Sequence, residues 1–420
     1  MSKLIFYEMK KLFSNKGICL LLCVLILLPP FLVPELDKHN RSGMVSDKSG
    51  NQVPYYVYLE QMDQDLGKYK GDLFDPKLSE KIEKDYEIDL ILQRVDPDKV
   101  SQIYGKKLSY DELYEKVDEL NETVFLEETD FPRRTYYNSV VHKLYNLKQK
   151  LSKENYQNEY AFIALNPVDK VRDAIARQKE LNQQMEQLKS VPIDQVLSFE
   201  HLFSVLNIVS FSLSFFFLFL MPSIFNLECK DKMLRLLKTT SLGKRKVAIA
   251  KVITVVVLST IIPLVSTLFS TLIIHLRYGL HNWNVSTMLI QDGYIFYNLF
   301  GYYIRRLVLM MLGCLGMSVI GAFLSSIIKS SYIALGIMIV YYVVWMFWAP
   351  GTGLIDWKTF TPMHILSDSG TTVLNSTSLF YRNHLYSQEL ILQVFWILIS
   401  IVLLYLSYIA YQKRQITNES

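Results

Sequence analysis

Seven histidines are the first places to look for metal or proton chemistry, and their spacing offers none. His39, His142, His201, His275, His281, His364 and His384 are scattered, and no HExxH motif sets two imidazoles on one helical face. The nucleophile pattern GxSxG is absent, and Gly243–Lys244 lacks the upstream glycine of a phosphate-cradling loop. The four cysteines, Cys19, Cys23, Cys229 and Cys314, form no CxxC pair, which removes a zinc or redox motif. Neighbouring acids such as Glu127 and Glu128 read as solvated charge. No catalytic residue, no metal site and no cofactor bound by this chain is expected.

The stretch LECKDKMLRLLKTTSLGKRKVAIAK, from Leu227 to Lys251, offers a different chemistry. It carries eight Lys or Arg residues against two acids, with Met233, Leu234, Leu236 and Leu237 interleaved. A helix here has leucines that need covering, so docking is the chemistry to expect. An apolar groove would take the leucines, and headgroup phosphates or acids would take the lysines.

The flanks say where that docking happens. Half of the 420 residues are hydrophobic, and mean hydropathy is positive at +0.18. That composition favours a polytopic membrane protein. Six runs are long and apolar enough to be read as spanning helices: 17–34, 201–225, 247–275, 304–328, 331–349 and 390–411. The first is read as an uncleaved span, because Pro29, Pro30 and Pro34 follow it in place of a small-residue cleavage site. Residues 35–198 hold 31 acids and 24 bases, about −7, whereas the rest of the chain is basic. An acidic block set into a basic membrane protein is not a nucleic-acid footprint.

Lys and Arg in the N-terminal segment, the 227–251 stretch, Lys329 and the 412–420 tail share one side, which the positive-inside bias assigns to the cytoplasm. Both termini are then inside a cell membrane, and 35–198 is extracytoplasmic. Arg305 and Arg306, at the outer start of the fourth span, stand against that bias; either they snorkel to headgroups or the span begins elsewhere. Residues 1–16 place Ile5, Met9, Leu12 and Phe13 on one face beside Lys10 and Lys11, the pattern of an interfacial helix.

The 35–198 block reads as helical. Helices are expected near 78–95, after a capping box at Ser109 and Glu112, along Tyr137–Leu151, and from Asn166 through Leu188. The last is expected to run directly into the second span at His201. Residues 276–303 read as an outer interfacial segment, 350–388 as an outer loop and 226–246 as a cytoplasmic coupling loop. The fold class is thus all-α: six transmembrane helices, an N-terminal interfacial helix and a helical extracytoplasmic domain.

Inside the spans, ionisable residues are confined to the ends, which argues against a proton-coupled carrier. Hydroxyls and small residues are plentiful. Asn207, Ser210 and Ser214 in the second span, Thr260 and Ser266 in the third, and Ser318 in the fourth are candidates for a translocation route or for interhelical packing. Cys314, Ser318, Ala322 and Ser326 recur every four residues, with Gly321 and Ser325 alongside.

Six spans, an amphipathic helix before the first and a basic helix between the second and third resemble an ABC transporter permease of the type-2 exporter family. Glu228, MLRLLKTT and SLGKRKV follow the order of that family's coupling loop, with Ser241 and Gly243 at the turn. The resemblance implies that Glu228, Met233, Leu236, Leu237, Thr239, Thr240 and Arg245 face an ATP-binding cassette subunit. ATP and magnesium would sit on that separate chain. It also implies a homodimer or a sister permease, and an extracytoplasmic substrate. The resemblance covers roughly 1–34 and 200–415. The insertion at 35–198 is longer than the usual first outer loop, as in Gram-positive permeases of bacteriocin-immunity and peptide-export systems. An exporter or remover of a peptide or other amphipathic molecule is the implied function. The alternative is a membrane-anchored extracytoplasmic sensor or binding protein without transport.

Overall fold

The computed structural model describes residues 2–14, 16–40, 44–46, 52–92, 95, 97–106, 108, 110–116, 139–151, 163–164, 190–226, 241–290, 298–347, 357–367, 378–381 and 384–417. The chain opens with α1 (Ser2–Leu12), α2 (Lys16–Leu27) and α3 (Pro29–Asn40). A domain of short elements follows: β1 (Met44–Ser46), β2 (Gln52–Pro54), α4 (Tyr55–Gly67), β3 (Gly71–Asp72), α5 (Pro76–Leu92), α6 (Pro97–Tyr104), α7 (Tyr110–Glu115), α8 (Ser139–Leu151), β4 (Ile163–Ala164) and β5 (Pro192–Ile193). Then come α9 (Leu197–Leu220), α10 (Ser241–Tyr278), α11 (Leu299–Ile327), α12 (Ser331–Phe347), α13 (Pro362–Ser367), β6 (Ser378–Tyr381), β7 (His384–Ser387) and α14 (Gln388–Thr417).

Among the described residues, four stretches are long and apolar enough to cross a bilayer: Leu197–Ser223, Arg245–Tyr278, Leu299–Ile327 and Glu389–Lys413. They make this a multi-pass membrane protein. The expected first span is a pair of helices, Lys16–Leu27 and Pro29–Glu35, bent by 41°. Pro29 and Pro30 have no N–H to carry the helical ladder across the break. The expected fifth span, Ser331–Phe347, has 17 residues.

The helix α11 is the centre of the bundle and packs against α9, α10, α13 and α14. Its small residues make that approach possible. A Cβ on Gly313 would lie 2.7 Å from Leu366 Cγ, one on Gly316 2.9 Å from Pro362 Cγ, and one on Gly321 2.8 Å from Met221 Cβ. Cys314, Ser318, Ala322 and Ser326 are fully buried beside them. By contrast α12 and α14 turn Ile333, Val340, Val344, Leu398, Ile401 and Val402 outward, as lipid-facing helices do.

The described parts of the segment read as an outer loop, 357–367, 378–381 and 384–388, hold secondary structure that its polar composition did not suggest. Within it, α13 buries Met363, Ile365 and Leu366 completely, and Ser210 Oγ of α9 donates to the Leu366 carbonyl at 2.7 Å. Six residues carry too little periodicity to mark a helix; the packing against Gly313 and Gly316 creates it. Further on, β6 pairs antiparallel with β7 and parallel with β4 of the insertion, so two segments far apart in sequence share one small sheet. The all-α reading therefore misses short strands, although helices dominate.

Within the insertion, α5 and α8 lie where periodicity put them, with Ile82, Val141 and Leu144 buried between them. The Tyr86 and Tyr145 rings stack at 3.7 Å, and His142 Nε2 meets the fully buried Asp89 at 2.8 Å. Ser109 and the Asn166–Leu188 helix lie outside the described residues. Residues 190–196 are not helical, and β5 pairs with β3 in the register Gly71↔Ile193, so no helix runs through into the second span. Pro192 and the β pairing end any helix before Leu197.

Candidate coupling site

Residues 227–240 lie outside the described residues, and with them Glu228, Met233, Leu236, Leu237, Thr239 and Thr240. The chain on either side is described, and it forms a joint. On the incoming side, α9 passes through a 3-10 turn, Met221–Ser223, to Asn226. The Phe225 N–H donates to Ser325 Oγ of α11 at 3.0 Å, and the Phe225 ring meets Tyr411 of α14 at 5.1 Å. On the outgoing side, Arg245 Nε donates to the Tyr408 hydroxyl of α14 at 3.2 Å.

Between the two sides sits Lys251, with no exposed side chain. Its Nζ is 2.8 Å from Glu8 Oε2 and 2.8 Å from the Ile224 carbonyl. Glu8 belongs to α1 and is itself 4% exposed at the side chain. This pair was not anticipated. Lys251 sits near the start of the third span and Glu8 amid Ile5, Met9 and Leu12, so a signal existed. Each is a lone charge in an apolar stripe, and the two signs are opposite. In α1, Leu12 is buried, Met9 and Phe13 pack on the core, and Ile5 is half-buried, whereas Phe6 and Tyr7 face outward.

The span hydroxyls mostly spend their protons locally. Ser214 donates to the Phe211 carbonyl, Thr260 to that of Val256, Ser266 to that of Ile262 and Ser318 to that of Cys314, at 2.6 to 3.0 Å. Ser210, Ser214, Ser266 and Ser318 are fully buried; Thr260 is half-buried. Asn207 differs, being exposed at the middle of α9.

Arg305 and Arg306 do not snorkel as a pair. Arg305 forms an ion pair with Glu389 of α14 at 3.1 Å, and Gln393 donates to the same carboxylate at 2.9 Å. Arg306 is buried, donates to Asn207 Oδ1, and stacks over Phe203 at 5.7 Å. Each guanidinium thus has a partner on another helix, Arg306 in the interior and Arg305 with its side chain 44% exposed.

The opposite end of the bundle carries the insertion. Asp63 Oδ1 of α4 accepts the N–H groups of Val196 and Leu197 at 2.7 and 3.0 Å, capping α9 from a distant part of the chain. Burial raises the Asp63 carboxyl above its ordinary value, opposed by those two backbone hydrogen bonds. Nearby Asp194 pairs with Lys70 at 2.8 Å and accepts from the Asn282 amide. Arg277 pairs with Glu35 at 2.8 Å.

A cavity of ≈ 350 Å³ opens at this seam, lined by Glu60, Asp63, Lys70, Asp194, His201 and Tyr278 among others. A small crevice of ≈ 50 Å³ shares Asp63 and Leu197 with it and is otherwise largely apolar, with Leu59, Met62 and Leu66. Among the described residues no group of three or more His, Cys, Asp or Glu side chains could hold a metal.

No curated protein sequence and no solved structure matches the chain. A sequence model for the ABC-2 family transporter proteins matches residues 18–411. The match runs through the 35–198 insertion, which the motif resemblance had left out. Membrane-spanning helices, with nearly the whole length matched, lead to one conclusion: the chain belongs to the ABC-2 family of transporter proteins.

Proposed function

We propose that this chain is the permease subunit of an ATP-driven transporter, crossing the cell membrane six times with both termini in the cytoplasm. ATP and magnesium bind a separate cassette subunit. The joint at the two ends of 227–240 is the observation that carries this reading. A loop whose ends are held to α1, α11 and α14 acts as a lever: force on it moves several helices together. Leu236, Leu237 and Met233 fill a groove on the ATPase, with Glu228, Thr239, Thr240 and Arg245 around them.

A second copy, or a sister permease, completes the pathway. Asn207 supports that: it is exposed in mid-span although Arg306 holds its Oδ1, and a polar side chain facing lipid is unfavourable. The cargo is a peptide or other amphipathic molecule, exported or removed from the membrane. The polar cavity and the apolar crevice that share Asp63 are in keeping with a ligand of mixed character.

The test is to purify the chain from its native membranes in mild detergent, beside the double variant Leu236→Asp/Leu237→Asp. A co-purifying subunit with a Walker motif, lost in the variant, is expected. An ATPase that stays bound to a transporting variant would overturn the docking assignment. An intact wild-type chain with no ATPase at all would instead point to an anchored extracytoplasmic sensor.

A further inference from the structure

Lys251 joins three elements at one atom. Its Nζ holds Glu8 of α1, the Ile224 carbonyl where the chain enters the loop, and its own helix where the chain leaves it. The Phe225 ring closes the site at 6.0 Å. All of this is dry, with the Lys251 and Glu8 side chains 0% and 4% exposed.

An ion pair is a poor choice if adhesion is the only need. Desolvating both charges offsets most of their attraction, and apolar residues of similar volume hold helices together as well or better. What the charges add is register: Nζ has one place to sit between a carboxylate and a carbonyl, whereas an apolar face can slide. Beside this pair α1 packs on α10, with Leu12, Met9 and Phe13 in or against the hydrophobic core.

We propose that Glu8 and Lys251 are positioning residues that make α1 an arm of the lever. A displacement of 227–240 is passed through Lys251 to α1. It then travels through the three residues 13–15 to α2 and α3, which pack against α9. The first helix pair thereby moves in step with the second and third spans. This rests on the reading that a cassette subunit drives the loop.

The experiment uses the full complex, comparing wild type, Lys251→Met and Glu8→Met/Lys251→Met. Each is scored for amount in the membrane, thermal stability, ATP hydrolysis and transport per ATP. The single variant strands a buried carboxylate and loses stability. The double variant restores an apolar junction and recovers stability, yet its transport per ATP stays roughly 3- to 30-fold below wild type. If transport per ATP recovers together with stability, the pair is packing alone and the proposal is wrong.

A wild-type preparation with no cassette subunit would sink the functional reading. The tether can still be judged in that event. A nitroxide at Tyr7→Cys, on the exposed face of α1 in a background without the native cysteines, reports its motion. Mobility that rises in the double variant supports the tether, and unchanged mobility overturns it.

Discussion

The two ends of the bundle are fastened in opposite ways. At the loop end, the fastening is the Lys251–Glu8 pair, buried and dry, backed by Phe225 on Ser325 and Arg245 on Tyr408. At the insertion end, much of it is in reach of water: Lys70 is 65% exposed in its pair with Asp194, and Arg277 and Glu35 are 35% and 54% exposed. A buried pair has one geometry and a high cost of breaking, which suits the force-carrying joint proposed above. Solvent-reached pairs are screened, cheap to exchange and suited to a seam whose cavity admits something from outside.

The sharpest way to break this contrast is at Lys251. Lys251→Met leaves Glu8 buried without its partner and should lower stability by about 3–5 kcal/mol. Chemical or thermal unfolding in detergent measures it, and a loss below about 1 kcal/mol would make the two ends equivalent.

A middle-sized effect is expected at Asp63. Replacement by Ala removes the acceptor for the Val196 and Leu197 N–H groups and should cost about 1 kcal/mol, as loss of a helix cap does. Asp63→Asn keeps an acceptor oxygen and should cost less. The two proteins also separate with pH. A carboxyl whose folded value lies above its unfolded value of 3.8 binds its proton more tightly when folded. Its favourable contribution is complete below 3.8 and is lost as pH rises through the folded value. The melting temperature of Asp63→Asn should therefore gain on wild type as pH climbs through that window; a constant difference would refute the burial argument.

The smallest effect belongs to Arg277→Ala. Its pair with Glu35 is half in solvent, so the change should lie within about 1 kcal/mol and vanish in high salt. A larger, salt-insensitive loss would mean that the insertion end is held as rigidly as the loop end.

Much of the membrane part was legible in the sequence by itself. Runs of apolar residues locate the four long spans to within a few residues, because no other arrangement hides so much hydrocarbon or satisfies so much backbone in lipid. Periodicity also placed α5 and α8, and the absence of glycine-rich and HExxH motifs left docking as the chemistry to look for. The contacts were not legible. Glu8 and Lys251 each stand out as a lone charge in an apolar stripe, but nothing local says that the two, 243 residues apart, meet, and nothing in a polar outer segment says that Pro362–Leu366 fold back against Gly313 and Gly316. The same holds for Asp63, which caps a helix 134 residues further on, and for Arg306, whose partner Asn207 lies on another span. Burial and helix type follow from local composition and period, which the chain carries in every window. Pairing of buried charges and caps depends on which helices become neighbours, and only the packed bundle decides that.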